Sequence, residues 1–319
     1  MMVTSATPHT FGPVPSRRLG RSLGINNIPP KRCTYACVYC QLGKGGKLRF
    51  EREPYYRPEA LYAETGNRLE KLAKQHNAVD YLTIVPDGEP TLDSGLGSTI
   101  ALLKKLGYPV AVITNASLLW RPDVREDLLH ANLVSIKADV TEQSVWRILN
   151  RPHGKIRLDR VLEGIIRFAN NFDGDLITET MLIKGINDKK GDLEWTAQFL
   201  SFLKPKESWI AIPTRPTADS DIKVPSERKL NQAYQIFSSS LASVKFLTGD
   251  EGDAFEGLSD GEQELLNIVS VHPMRLEAAR KYLARFGDAD AMLESMLRQQ
   301  KIVKIPYRES SFLLRKLKG

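Results

Sequence analysis

Between residues 22 and 247, short apolar runs rich in β-branched residues alternate with longer stretches in which apolar positions recur every three or four residues. The short runs predict strands at 22–25, 81–85, 110–114, 133–137, 176–182 and 209–212, with a seventh at 244–247. The longer stretches predict helices at 58–76, 99–106, 123–130, 158–170, 192–203 and 227–241. Such alternation builds a parallel sheet with helices packed on its outer face. The expected fold class is α/β, a partial (β/α)6 TIM-like barrel, with its ligand site at the carboxyl ends of the strands.

The pattern breaks at residues 248–259, TGDEGDAFEGLS, a Gly-rich and acidic segment that reads as a linker. Ser259 and Glu262 then form a capping box. Helices follow at 262–269, 275–284 and 289–300, with apolar faces Leu265/Ile268/Val269, Leu276/Ala279/Leu283 and Met292/Leu293/Met296/Leu297. Residues 302–317 read as two short strands around a turn at 308–311. Helices and hairpin together predict a small C-terminal α+β domain resembling a winged helix-turn-helix. A helical cap packed on the barrel needs the same stripes and remains open. The expected domains are therefore 1–247, the barrel, and 248–319, linker and winged-helix-like unit.

The 319 residues, 42% hydrophobic, supply a large core. No run approaches the roughly 18 apolar residues of a membrane helix, and residues 1–10 lack a signal-peptide core. A soluble cytoplasmic protein is expected. The net charge of +7 is concentrated: residues 11–57 hold ten Lys/Arg against two Glu, and residues 298–319 hold seven against one. These are either two solvated basic faces or the footprint of an anionic ligand or nucleic acid.

All three cysteines lie within eight residues, as Cys33-Thr-Tyr-Ala-Cys37-Val-Tyr-Cys40. An odd, clustered set makes no disulfide framework and points to a metal site. A zinc ribbon needs four ligands, and His9 and His76 stand at no standard offset. A thioredoxin-like pair at Cys37/Cys40 leaves Cys33 without a role. The C-x3-C-x2-C spacing favours an iron–sulfur cubane on three thiolates, with one iron left for an external ligand.

With Tyr39 as its aromatic, this motif after the first strand resembles the signature of the radical S-adenosylmethionine superfamily. The segments FGPVPSRRLG (11–20), 22–29, Gln41-Leu42-Gly43, DGEPTL (87–92), Thr114-Asn115 and ETMLIKGIND (179–188) extend the resemblance. They are similar to the small Fe–S oxidoreductases related to tRNA wyosine synthases, over roughly residues 11–220 and not the C-terminal 60 or so. The resemblance implies a [4Fe–4S] cluster on Cys33, Cys37 and Cys40, its fourth iron bound by S-adenosylmethionine. It implies Tyr39 near the adenine and Gly88-Glu89-Pro90 at the methionine amino group. Asp87 stands where the family has Gly. Ala116 replaces the Gly of a Thr-Asn-Gly turn, where a positive φ would be strained. A low-potential electron donor, flavodoxin or ferredoxin, is implied as partner.

The residues support these assignments separately. Glu89, fixed by Pro90, is a carboxylate suited to an ammonium, although Asp-Gly and Glu-Pro also favour turns. Ser135, Lys137 and Asp139 share one strand face. Ser135 and Asp139 suit ribose hydroxyls and Lys137 the methionine carboxylate, against a structural pair of Lys137 with Asp139 or Glu89. Glu179 and Arg215 follow as cofactor or substrate contacts by position. Arg17, Arg18 and Arg21 point to the substrate or the barrel floor, and Lys44, Lys47, Arg49 and Arg52 to the mouth. Trp120, Trp146 and Trp209 read as anchors and His153 as an exposed loop residue.

The expected function is reductive cleavage of S-adenosylmethionine to a 5′-deoxyadenosyl radical, which abstracts hydrogen from an RNA or a protein or peptide substrate. Relatives that make wyosine carry extra cysteines, and none remains here. The alternative is a non-catalytic, redox-sensing winged-helix regulator that binds nucleic acid through salt-sensitive contacts.

Overall fold

The computed structural model describes residues 8–43, 46–248, 261–307 and 310–316. One eight-stranded sheet follows chain order from edge to edge. Its strands are β1 Thr10–Ser16, β2 Gly20–Ile25, β3 Tyr81–Ile84, β4 Val110–Thr114, β5 Leu133–Lys137, β6 Asp175–Met181, β7 Glu207–Ala211 and β8 Val244–Leu247. β1 and β2 pair antiparallel, and every later neighbouring pair is parallel. Parallel strands taken in order curl the sheet one way into a half-barrel with β1 and β8 as its edges. Helices α1 Pro58–Lys74, α2 Leu96–Lys104, α3 Pro122–Leu128, α4 Gln143–Leu149, α5 Leu158–Ala169, α6 Lys190–Leu203 and α7 Glu227–Ser238 form its crossovers.

Two-residue alternation decides what each strand presents. Leu82, Ile84, Val112, Val134 and Ile136 bury against the helices in the main core. Leu19, Ala111, Leu133 and Ile177 form a separate apolar plug inside the curl. Ser135 and Lys137 follow Leu133 on the inner face of β5, and Glu179 follows Ile177 on β6. The interior is thus apolar at its floor and polar towards the carboxyl ends.

Of the elements that depart from expectation, β1 and α4 are the longest, at seven residues each. β1 was not anticipated because Gly12, Pro13 and Pro15 read against a strand; as a sheet edge it has no need of the amide hydrogens that proline lacks. α4 is only seven residues, and its one local signal is the Glu142 side chain accepting the Val145 amide at 2.8 Å.

The C-terminal part comprises α8 Gly261–Val271, β9 Met274–Arg275, α9 Leu276–Leu283, α10 Ala289–Arg298, β10 Ile302–Tyr307 and β11 Ser310–Arg315. Its antiparallel sheet has the order β10–β11–β9. The expected apolar faces of all three helices meet in one core, and Phe11 and Val14 of β1 join it. Arg68 of α1 forms a buried ion pair with Glu264 of α8, both bonds 2.6 Å, and also donates to the Gly12 carbonyl. This part therefore packs on the β1 edge. The linker at 248–259 and the capping Ser259 lie outside the described residues apart from Thr248. Among the described residues no helix is long and apolar enough to cross a membrane.

Candidate functional site

The cysteine loop leaves β2 and crosses the carboxyl ends of the strands, where neighbouring loops mould it through backbone hydrogen bonds. The Lys31 amide donates to the Asp87 carbonyl at 2.7 Å and the Glu89 amide to the Arg32 carbonyl at 2.8 Å. The Ala36 amide reaches the Asn150 and Arg151 carbonyls, both at 3.1 Å, and the Val38 amide reaches Leu149 at 3.0 Å. The His153 amide donates to Thr34 at 2.8 Å and the Asp219 amide to Val38 at 3.0 Å. Three separate chain segments, at 87–89, 149–153 and 219, thus hold the loop in one shape.

Gly88 is required by this contact: a Cβ there would lie 2.0 Å from the Arg32 carbonyl oxygen. Pro90 begins a single 3₁₀ turn, Pro90–Leu92, capped by the Glu89 side chain. Glu89 is buried, and its Oε1 accepts from the Thr91 hydroxyl (2.6 Å), the Thr91 amide (3.1 Å) and the Thr114 hydroxyl (2.6 Å). Its Oε2 accepts the Asn115 amide at 2.7 Å. Burial raises the pKa of this carboxyl, and these donors work against that rise. Glu89 therefore braces the loops after β3 and β4. Ala116 has φ 61°, the positive value that the turn motif predicts and a non-glycine residue resists.

Cys33, Cys37 and Cys40 rim a cavity of about 530 Å³ together with Lys31, Asp87 and Arg151. Burial pushes all three thiols up, Cys37 to about 12. Asp87 is buried there, and neither carboxylate oxygen meets a hydrogen-bond donor. Burial raises its pKa to about 6 against the pull of Lys31 and Arg315.

A second cavity, of about 310 Å³, lies inside the half-barrel, and Cys40 and Leu42 line both. Lys137 and Glu179 stand opposite each other in the register of β5 and β6. The Lys137 Nζ donates to Glu179 Oε1 at 3.0 Å, and Arg18 bonds the other oxygen. Burial pushes the Glu179 carboxyl up, but the Lys137 and Arg18 charges outweigh it and hold the pKa down to about 2. Burial likewise opposes the Lys137 ammonium, and the charges of Glu179 and Asp139 raise its pKa overall. Ser135 accepts from Arg18 at 3.5 Å. The structural partner of Lys137 is thus Glu179, rather than Asp139 or Glu89. Arg18, expected at the substrate or the barrel floor, lines this inner cavity, as does His272 just after α8, which lies 2.8 Å from Arg215.

Tyr39 donates to Asp139, and the Lys137 ammonium sits 4.5 Å from its ring centre. Asp139 Oδ1 accepts the Met181 amide at 2.8 Å. Asn150, which nothing in the local sequence marks, places its NH₂ 2.9 Å from Asp139, 3.0 Å from Tyr39 and 3.5 Å from Cys37 Sγ, so that one hydrogen is shared by the adjacent Asp139 and Tyr39 oxygens and the other serves the sulfur. Asn115 donates to Thr34 at 2.9 Å and to Cys33 Sγ at 3.6 Å. Tyr39, Glu89, Asn115, Lys137 and Asp139 thus lie at or just beyond the carboxyl ends of their strands, and Glu179 two residues short of one. Arg52 instead bonds Asp123 at 2.8 Å and the Thr91 carbonyl at 2.9 Å, tying α3 to the loop after β3. His153 is part of a stack, 5.4 Å from the Phe50 ring. Arg21 pairs with Asp80 at the surface, and Lys44 lies outside the described residues.

A family model described as the Radical SAM superfamily matches residues 27–200. The chain is 40% identical over 311 residues to a UPF0026 protein of Methanocaldococcus jannaschii, covering 97% of this chain and 96% of that one. It is 32% identical over 304 residues to a UPF0026 protein of Helicobacter pylori, covering 94% and 96%. In fold it is similar to SuiB of Streptococcus suis, in the crystal structure bound to S-adenosylmethionine, with TM-score 0.52 and 16% identity. That match covers 70% of this chain and 49% of SuiB, so the chain spans about half of that protein's length.

Proposed function

The chain belongs to the radical S-adenosylmethionine superfamily, in its UPF0026 group, and on that footing we propose that Cys33, Cys37 and Cys40 hold one [4Fe–4S] cluster beside bound S-adenosylmethionine. The observation that carries this reading is that the three thiols rim one cavity of about 530 Å³ and touch, through Cys40, the charged interior of the half-barrel. The donor set, three thiols at the rim of one cavity, suits a cluster held by thiolates with one iron left open. Thiols pushed this far up stay protonated until a metal displaces the proton.

When bound, the groups supply an electron from the cluster to the sulfonium, giving methionine and a 5′-deoxyadenosyl radical that takes hydrogen from the substrate. The protein's own part is placement and exclusion of water. Asp87, buried with both oxygens unbonded at the cysteine cavity, would accept from the methionine ammonium. Glu89 would act one step back, by fixing the Asn115 backbone and the turn at Thr91. Lys137, paired with Glu179, would place its ammonium over Tyr39 and beside the nucleoside or the carboxylate.

The substrate would present a group small enough for the inner cavity of about 310 Å³, a small molecule or one residue of a peptide. Nucleic acid is less well supported. The exposed face of α10, the helix a winged-helix reader would use, carries Asp290 and Glu294 with Arg298, the wrong balance for phosphates. The same face gives the regulator reading no support. The C-terminal unit, 248–319 in this proposal, instead supplies a wall of the substrate cavity through His272.

The test is the yield of 5′-deoxyadenosine from S-adenosylmethionine after anaerobic reconstitution and dithionite reduction. Wild type is expected to form it and Cys37→Ala to form none. A fully loaded wild-type protein that forms none would overturn the enzyme reading.

A further inference from the structure

We propose that Asn150 is a positioning residue for the cluster, with Asn115 as its counterpart, and that their side-chain amides raise its reduction potential by donating hydrogen bonds to the Cys37 and Cys33 sulfurs. The inference rests on the cysteine assignment above and goes beyond it. The distances, 3.5 Å to Cys37 Sγ and 3.6 Å to Cys33 Sγ, lie within reach of N–H···S bonds.

Which end of each amide faces the sulfur is settled by partners with no choice of role. The Asp139 carboxylate only accepts, and Tyr39 spends its hydroxyl proton on that carboxylate, so the NH₂ end of Asn150 must face this group and Cys37. The Ser117 backbone amide only donates, at 3.0 Å to Asn115 Oδ1, which turns the Asn115 NH₂ towards Thr34 and Cys33. Asn150 is also held rigidly by its own backbone. Its amide donates to Trp146 at 2.8 Å and its carbonyl accepts from Ala36 at 3.1 Å, one residue before Cys37. Arg151 beside it adopts φ 44°, a strained value kept by the contacts on both sides.

A donor at a cluster sulfur stabilises the state that carries more negative charge, which is the reduced one, so it raises the potential. Burial magnifies this effect: Asn150 is 4% exposed. The electron reaches the cluster more readily with these donors than without them.

The experiment is a redox titration of the reconstituted holoprotein followed by EPR, for wild type, Asn150→Ala and the near-isosteric Asn150→Leu, each with iron and sulfide measured. At the wild-type midpoint potential, the ratio of reduced to oxidised cluster should fall about tenfold in both variants. A wild-type potential in Asn150→Leu at full loading would assign the residue to packing and overturn the proposal, while leaving the cysteine assignment intact. A wild type that binds no cluster would overturn both. If the variants load poorly, the wild-type protein labelled with ¹⁵N at asparagine side-chain amides decides the matter. Pulsed EPR should then detect ¹⁵N coupled to the cluster, and its absence would overturn the proposal.

Discussion

The cysteine cavity and the barrel interior share a wall at Cys40 and Leu42, yet they are held by different forces. Around the cysteines, shape comes from backbone hydrogen bonds to three neighbouring segments, and the side chains that donate to the sulfurs are neutral amides. Inside the barrel, shape comes from charge, with Glu179 clamped between Lys137 and Arg18. Backbone bonds fix a resident group in place and persist across pH. Paired charges in a cavity are suited to a ligand that comes and goes, because its own charges can exchange with theirs. The comparison predicts that damage to one region leaves the other's property standing.

The largest effect should follow from Glu179→Gln. Lys137 and Arg18 would then be buried without their shared counter-charge, and stability should fall by about 3–5 kcal/mol in urea unfolding of the reconstituted protein. Iron per folded chain should remain that of wild type. Joint loss of iron and stability would show that the two regions are one. Arg68→Met should come next, at about 3 kcal/mol, because Glu264 loses its buried partner; limited proteolysis should then attack the C-terminal part first.

Gly88→Ala should produce the converse pattern. A Cβ 2.0 Å from the Arg32 carbonyl displaces the cysteine loop, with about 1–3 kcal/mol lost and iron loading reduced far more than the unfolding midpoint suggests. Normal loading would contradict the view that the loop is moulded by its neighbours.

Asp87 and Glu179 should respond to pH in opposite senses. The folded pKa of Asp87, about 6, lies above its unfolded value, so its ionised form costs stability above that pH. Asp87→Asn should therefore stabilise the cluster-free protein at pH 8, on the order of 2 kcal/mol, with the gain fading through pH 6 and gone below about pH 4. The folded pKa of Glu179, about 2, lies below its unfolded value. Its contribution is complete above about pH 4.5 and is lost as the pH falls towards 2. Thermal melts of wild type, Asp87→Asn and Glu179→Gln from pH 3 to 8 separate these cases.

The same contrast explains what the sequence discloses. The cysteine motif is legible because its ligands lie within eight residues, and the parallel strands because alternation is a local property. Lys137 and Glu179 are each recognisable, but their pairing depends on the register of two parallel strands joined through α4 and α5, which no local pattern specifies. Asn150 is invisible for the same reason. It sits at the end of a short helix, and its sulfur partner is 113 residues away. β1 is hidden by its prolines, since only the finished sheet reveals that it is an edge. Ala116 is the opposite case, a strained turn foreseen from the motif around it.

The most direct test of the central claim, that the cysteine cavity binds a cluster open to S-adenosylmethionine, is low-temperature EPR of the reduced, reconstituted protein with and without S-adenosylmethionine. The account predicts a [4Fe–4S] signal whose g-values shift on addition, and no such signal in Cys33→Ala, Cys37→Ala or Cys40→Ala. A loaded wild-type cluster with a spectrum indifferent to S-adenosylmethionine would contradict it.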